Sequence, residues 1–276
     1  MPRIKAKACG LSLLVLTGSA LAGPVEPQLI ATNGTRAYFF QRTTTPEEFD
    51  TISALDSTGH YQAITTDPTG KVLMHGISGT GGVFYHLKGR PGNWRVDTVS
   101  FTDIWYNTID YVGERMFAVR NDIGHSDALV ELNPYTFEEI AVLGIYELGI
   151  GGMAYVPHLD EFVVGDTRTN SFYAIGLGLT ESTVQGEIRT IGHSGMRWGG
   201  HGLEYFEGEV YGAAIRGEDM KFVFGKVNLE TGHFDVSSIL ADAIHGGVGF
   251  GIIPAPGTVG LLTVFGALAC RRRRTA

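Results

Sequence analysis

Between residues 23 and 253 the apolar residues fall in short runs divided by Gly, Pro, Asn and Asp. The runs are rich in Val, Ile, Phe and Tyr, and they rarely keep the spacing of an amphipathic helix, so they predict strands joined by tight turns. Only around 237–243 does a helical spacing predict one turn of helix in a loop.

The runs recur. YNTIDYVGERMFAV from Tyr106, GGMAYVPHLDEFVV from Gly151 and HGLEYFEGEVYGAA from His201 align, with a looser copy, YQAITTDPTGKVLMH, from Tyr61. Ile64, Ile109, Met153 and Leu203 then stand at equivalent places, and Val248 continues the series at steps of 45, 44, 50 and 45 residues. Each unit holds a first stretch and a turn such as Pro68-Thr69-Gly70. A second stretch follows, centred on Leu73, Phe117, Val163 or Tyr211, then a third such as Ala128 to Leu132 or Phe222 to Val227, and last a less apolar fourth. Four strands per unit of this length is the period of a β-propeller blade.

Three stretches precede the first full unit (Gln28 to Ala31, Arg36 to Gln41, Phe49 to Ala54), and Gly247 to Ile253 supplies a lone first strand at the end. Together they predict a composite blade. The expected fold is therefore all-β: a five-bladed propeller of four-stranded blades, closed by pairing of its N- and C-terminal strands, which leaves no open sheet edge. A further, poorly patterned blade has room only in 175–198.

Composition agrees: 39 glycines supply turns, and 43% hydrophobic residues suffice for a large core. Both cysteines, Cys9 and Cys270, lie near the ends, so the body has no disulfide and no thiolate metal site. Residues 23–253 carry 14 basic against 29 acidic residues, a formal charge of −15. That excludes nucleic acid and anionic surfaces as partners and favours cations and cationic polymers.

The two ends read as addresses. Residues 1–22 have a basic start (Arg3, Lys5, Lys7), an apolar run peaking at Leu11 to Leu16, and small residues Ala20 and Ala22 for cleavage before Gly23, which together make a secretory signal. Residues 254–276 hold Pro254-Ala255-Pro256-Gly257, an uncharged run from Thr258 to Cys270, then Arg271, Arg272, Arg273 and Arg274. The apolar run is short for a bilayer span, and the arginines hold its end in the cytoplasm. This tail resembles the PEP-CTERM sorting signal of Gram-negative bacteria, with Ala255 where that class has glutamate. The resemblance implies recognition by an exosortase-like protease after export, cleavage near the prolines, and delivery to the cell surface or extracellular matrix. Membrane contact is then transient, through the tail alone; a plain tail anchor is the alternative. The phrases ALVELNPYTFEE and FGKVNLETGHF resemble those of bacterial surface propellers, which implies an architecture and no activity.

Candidate chemistry gathers just before the first strand of each unit, at one mouth of the expected channel: Asn107, Gly151, His201 and His245. His201 and His245, with Glu204 near, would ligate a divalent metal or act as acid and base. The alternative is that both histidines bond loop backbone beside Gly-Gly turns. HGL at His201 has a counterpart in propeller lyases and lactonases, but the other units offer only Asn107 and glycine there. Asp166 to Asn170 has alternating oxygen ligands for calcium, or is a hairpin turn. Asn121 to Asp127 and Gly192-His193-Ser194-Gly195 hold nucleophile-like residues without triad or elbow context, and Ser78 to Gly82 lacks the Lys of a phosphate cradle. Trp94, Trp105 and Trp198 would stack on sugars if exposed. The sequence thus points to a non-enzymatic exported module that binds a polysaccharide or another envelope component, with no cofactor beyond a divalent cation. The alternative is a metal-dependent propeller lyase or hydrolase.

Overall fold

The computed structural model describes residues 28–33, 36–42, 49–56, 60–78, 81–90, 93–121, 126–180, 183–242 and 248–253. The expected signal (1–22), the tail (254–276) and His245 lie outside them.

The described strands are β1 Gln28–Asn33, β2 Arg36–Arg42, β3 Phe49–Asp56, β4 His60–Thr66, β5 Val72–Ser78, β6 Gly81–Arg90, β7 Asn93–Thr102, β8 Tyr106–Val112, β9 Arg115–Asn121 and β10 Asp127–Leu132. They continue as β11 Glu139–Tyr146, β12 Ile150–Val156, β13 Glu161–Asp166, β14 Ser171–Gly176, β15 Ile188–His193, β16 Trp198–Phe206, β17 Glu209–Arg216, β18 Lys221–Val227, β19 Phe234–Asp242 and β20 Val248–Ile253. Four antiparallel sheets of consecutive strands follow, β4–β7, β8–β11, β12–β15 and β16–β19, each a propeller blade. A further four-stranded sheet runs in the order β20-β1-β2-β3.

The strands differ in pattern because they differ in depth. First and second strands are buried on both faces and read as nearly unbroken apolar runs, as in β13 and β17. Fourth strands are exposed: Ile140, Val142 and Ile145 of β11 are open to solvent. First strands of neighbouring sheets also meet: β4 lies against β8, β8 against β12, β12 against β16, β16 against β20, and β20 against β4. Between sheets sit apolar layers, such as Phe117, Met153 and Phe162 between the β8–β11 and β12–β15 blades. Two such layers flank β20 and β1, one with Phe222, Phe224 and Phe250, the other with Ile30, Ile64 and Met74. The inner strands approach closely enough that glycine is required at places: a Cβ on Gly202 would lie 2.4 Å from the Phe250 nitrogen.

The one expected turn of helix is corrected. Residues 237–242 continue β19, where Ser238 pairs with Phe224 and Ile239 with Val223. Bulges at Phe222/Val223 and Phe224/Gly225 break the strict alternation along this pair, so the apolar spacing looks helical although the edge of β18 supplies the backbone partners. In 175–198 there is β15, the fourth strand of the β12–β15 blade, and no extra sheet among the described residues.

Candidate functional site

The channel-mouth residues lead into the inner strands. Asn107, in β8, donates from Nδ2 to the Ile150 carbonyl at 3.1 Å and so bridges β8 to β12. Gly151 sits at the start of β12, and the His201 backbone lies in β16 opposite Ala214. The His201 ring and all of His245 fall outside the described residues. Among those residues no group of three or more His, Cys, Asp or Glu is placed to hold a metal ion.

One position after Ile64, Ile109 and Leu203 stand Thr65, Asp110 and Glu204, polar residues inside apolar inner strands. Asp110 is buried at 8% exposure. Its Oδ1 accepts from the Tyr111 N–H at 2.7 Å and from Thr65 Oγ1 at 3.2 Å, and its Oδ2 accepts from the Tyr155 N–H at 2.7 Å. A single carboxylate thereby ties β4, β8 and β12 together. Burial pushes its pKa up to about 6, against the three hydrogen bonds, which pull it down. Glu204, on β16, is raised well above the ordinary carboxylate range by burial first and by the Asp110 charge second, while the Tyr205 N–H opposes. The two carboxyls therefore sense each other from β8 and β16, with β12 between those strands. Such a pair takes up protons at a higher pH than ordinary carboxyls and organises backbone N–H groups; neither oxygen of Asp110 is left without a bond.

Two more aspartates cap the entry to β12. Asp127 accepts from the Ile150 N–H at 2.5 Å, and Asp166 accepts from the Gly149 N–H at 2.7 Å. Burial raises Asp127 to about 6. For Asp166 burial pulls upward too, but bonds from Thr169 Oγ1 and from the N–H groups of Gly149, Arg168 and Thr169 win, and its pKa is lowered. The segment from Asp166 to Asn170 is thus a hairpin turn between β13 and β14 whose aspartate is engaged by protein donors. Gly192 and His193 end β15, paired with Phe172 and Ser171. In the turn after them Ser194 is buried and donates to the Met196 carbonyl at 2.7 Å, and the His193 Nδ1 accepts from the Gly195 N–H, so the segment has no nucleophile-elbow geometry. Trp105 is 38% exposed and its Nε1 donates to Gln62; Trp94 is half-buried against the apolar layer of Ile30, Ile64, Val72, Met74 and Leu87. The Trp198 side chain lies outside the described residues, as do Asp122 to His125.

Asp110 and Asp127 were not singled out from sequence. For Asp110 a signal existed: an acid directly after the equivalent apolar residue in two units, Ile109-Asp110 and Leu203-Glu204, inside strands that are otherwise apolar.

The fold and its inner strands define an all-β protein of the β-propeller architecture. No protein-family model and no curated protein sequence matches the chain. Solved structures do. A chain of a nidogen/laminin complex superposes with a TM-score of 0.52 at 9% identity, over 83% of this chain and 98% of that one. TolB from Acinetobacter baumannii superposes with a TM-score of 0.48 at 13% identity, over 80% of this chain and 55% of that one. At such identity the nidogen/laminin likeness speaks for the fold alone.

Proposed function

We propose that this chain is an exported, non-enzymatic β-propeller that works at the cell envelope or in the extracellular matrix as a binding or structural module. Residues 1–22 direct export, and residues 254–276 are the substrate of an exosortase-like protease, with the membrane touched only through that tail before processing. The sheet β20-β1-β2-β3 is read as a fifth, composite blade that closes the ring. Its support is the pairing of β20 with β1 from Gln28↔Ile253 to Asn33↔Val248, and the contact of β20 with both β16 and β4.

The observation that carries the non-enzymatic reading is the engagement of Asp110. This acid of the first strand of its blade is engaged by backbone N–H groups of β8 and β12 and by a threonine of β4, a structural use in which both of its oxygens hold strands together. The expected ligand is an extracellular polysaccharide or another envelope component. Expression of the full chain in a Gram-negative host, with and without an exosortase, tests the address. The expected product starts at Gly23, ends near Pro254 only when the protease is present, and is found outside the cytoplasm by fractionation and intact mass. An unprocessed 276-residue chain in the cytoplasm would overturn the proposal.

A further inference from the structure

A groove of about 320 Å³ opens between the β4–β7 and β8–β11 blades, lined mostly by their turns and outer strands and reached from β8 by Tyr111. The volume lies at the small end of the range for ligand pockets, about 300–1,000 Å³. Six lining side chains matter: Asp67 and Lys71 from the β4–β5 turn, His86 from β6, Tyr111 from β8, Glu114 from the β8–β9 turn, and Tyr135 from the β10–β11 turn.

The β10–β11 turn has a twin in the β18–β19 turn. In Asn133-Pro134-Tyr135-Thr136-Phe137 and in Asn228-Leu229-Glu230-Thr231-Gly232 the asparagine Oδ1 accepts from the N–H groups two and three residues on. In both, the fifth N–H bonds the asparagine carbonyl at 2.8 Å, and the fifth residue has a left-handed backbone: φ is 62° at Phe137 and 76° at Gly232. The twins part at the groove. Where the second has Glu230, the first holds out Tyr135, 89% exposed. Where the second has glycine, the first places a phenylalanine in a conformation that costs an L-residue about 1–2 kcal/mol, and stacks its ring on Phe84 at 4.2 Å. The loop backbone is thereby anchored to the neighbouring blade and presents Tyr135, an amphipathic aromatic side chain, at the groove.

The polar groups are also set. Three donors fix Asp67 Oδ1: the Thr69 N–H at 2.8 Å, Thr69 Oγ1 at 2.7 Å and the Lys71 N–H at 2.9 Å. Burial first, and the Lys71 charge second, keep the His86 imidazole below its ordinary pKa, so it is neutral, with one donor and one acceptor nitrogen. Burial, then Asp67 and Tyr135, push Tyr111 up to about 12, so its hydroxyl keeps its proton.

We infer that this groove binds a neutral hexose oligosaccharide, with Tyr135 and Tyr111 meeting the C–H face of a ring and Asp67, Glu114 and His86 bonding its hydroxyls. The electron-rich aromatic face attracts the positive C–H edge, and carboxylates bond hydroxyl donors strongly. Two carboxylates against one lysine, on a body of charge −15, disfavour sulfated or uronate-bearing polymers. Aromatic grooves also take proline-rich helices, but those present carbonyl acceptors and few N–H groups, which two carboxylates cannot bond. The inference deepens the binding half of the proposed function and depends on it.

Titration calorimetry of the purified full chain against maltohexaose, cellohexaose and mannohexaose tests it, with a proline-rich peptide as competitor. At least one hexaose should bind, with affinity about tenfold weaker in Tyr135→Ala and nearly kept in Tyr135→Phe, which preserves the stacking face. Tyr135 is exposed, so the variant folds. Glu114→Gln should weaken binding by a smaller factor. No binding of any hexaose at about 10 mM, binding indifferent to Tyr135→Ala, or capture of the peptide in place of sugar each overturns the inference. The assay reads the purified chain wherever it resides in the cell, so a failure of export leaves this result standing, and the reverse.

Discussion

Replacing Asp110 with asparagine should change the pH dependence of stability in a direction opposite to that of most paired carboxylates. The folded chain raises this carboxyl from 3.8 to about 6, chiefly by burial. An acid raised on folding makes the folded state bind the extra proton. Its stabilisation is therefore fully present below the unfolded value and is lost as pH climbs through about 6. At about 1.4 kcal/mol per pKa unit, the wild type loses on the order of 3 kcal/mol from this group between pH 4 and pH 7. Asparagine does not titrate, so wild-type minus variant stability should fall by that amount across the range. Asp166 and Glu131, whose pKa values are lowered, act the other way in both chains and cancel in the difference. Urea unfolding followed by tryptophan fluorescence at several pH values, on wild type and Asp110→Asn, supplies the comparison. Glu204→Gln belongs beside it, because each carboxyl feels the other's charge and the pair titrates together. A difference that stays flat, or that rises with pH, would refute the assignment of Asp110 to a buried, proton-holding position.

His75 should show the opposite slope. It is fully buried against Phe84 at 4.7 Å and Tyr106 at 5.5 Å, and burial lowers its pKa from 6.5 to about 3 with a smaller opposing pull from the Tyr106 backbone. Its contribution is present above 6.5 and lost as pH falls toward 3, so wild-type minus His75→Leu stability should drop by about 2 kcal/mol between pH 6.5 and pH 5, read by the same urea series. Gly232→Ala places a Cβ 2.3 Å from the Gly192 carbonyl carbon at a φ of 76° and should cost about 2–5 kcal/mol, the left-handed backbone term plus overpacking against backbone, whereas Gly208→Ala, with φ 91° and nothing within 4 Å, should cost only the backbone term of about 1–2 kcal/mol. Thermal unfolding of the two variants separates steric from purely conformational strain. Phe84→Ala removes the stack under Phe137 and should destabilise by about 3–5 kcal/mol, while Arg189→Ala, breaking a pair with Glu161 in which the arginine is half exposed, should move the midpoint by no more than about 1 kcal/mol.

Strand positions were legible because alternation, turn residues and β-branched runs are local properties: Ile64, Ile109, Met153 and Leu203 all lie in the first strands of their blades, as the repeat predicts, and Val248 lies in a strand. The terminal stretches that became β1, β2 and β3 were legible for the same reason. Local pattern failed at 237–242, where bulges against β18 made a strand look helical. It also could not rank the acids. Asp110, Asp127 and Asp166 are the same residue type in similar short phrases, yet burial raises two of them while donors hold the third down. The bonds that set Asp110, from Thr65 and from the Tyr155 N–H, each reach 45 residues along the chain, one repeat in either direction. The period of the repeat was in the sequence; that a carboxylate would stand between three such units, shielded from water, depends on sheets packing face to face, and desolvation is a property of that packing.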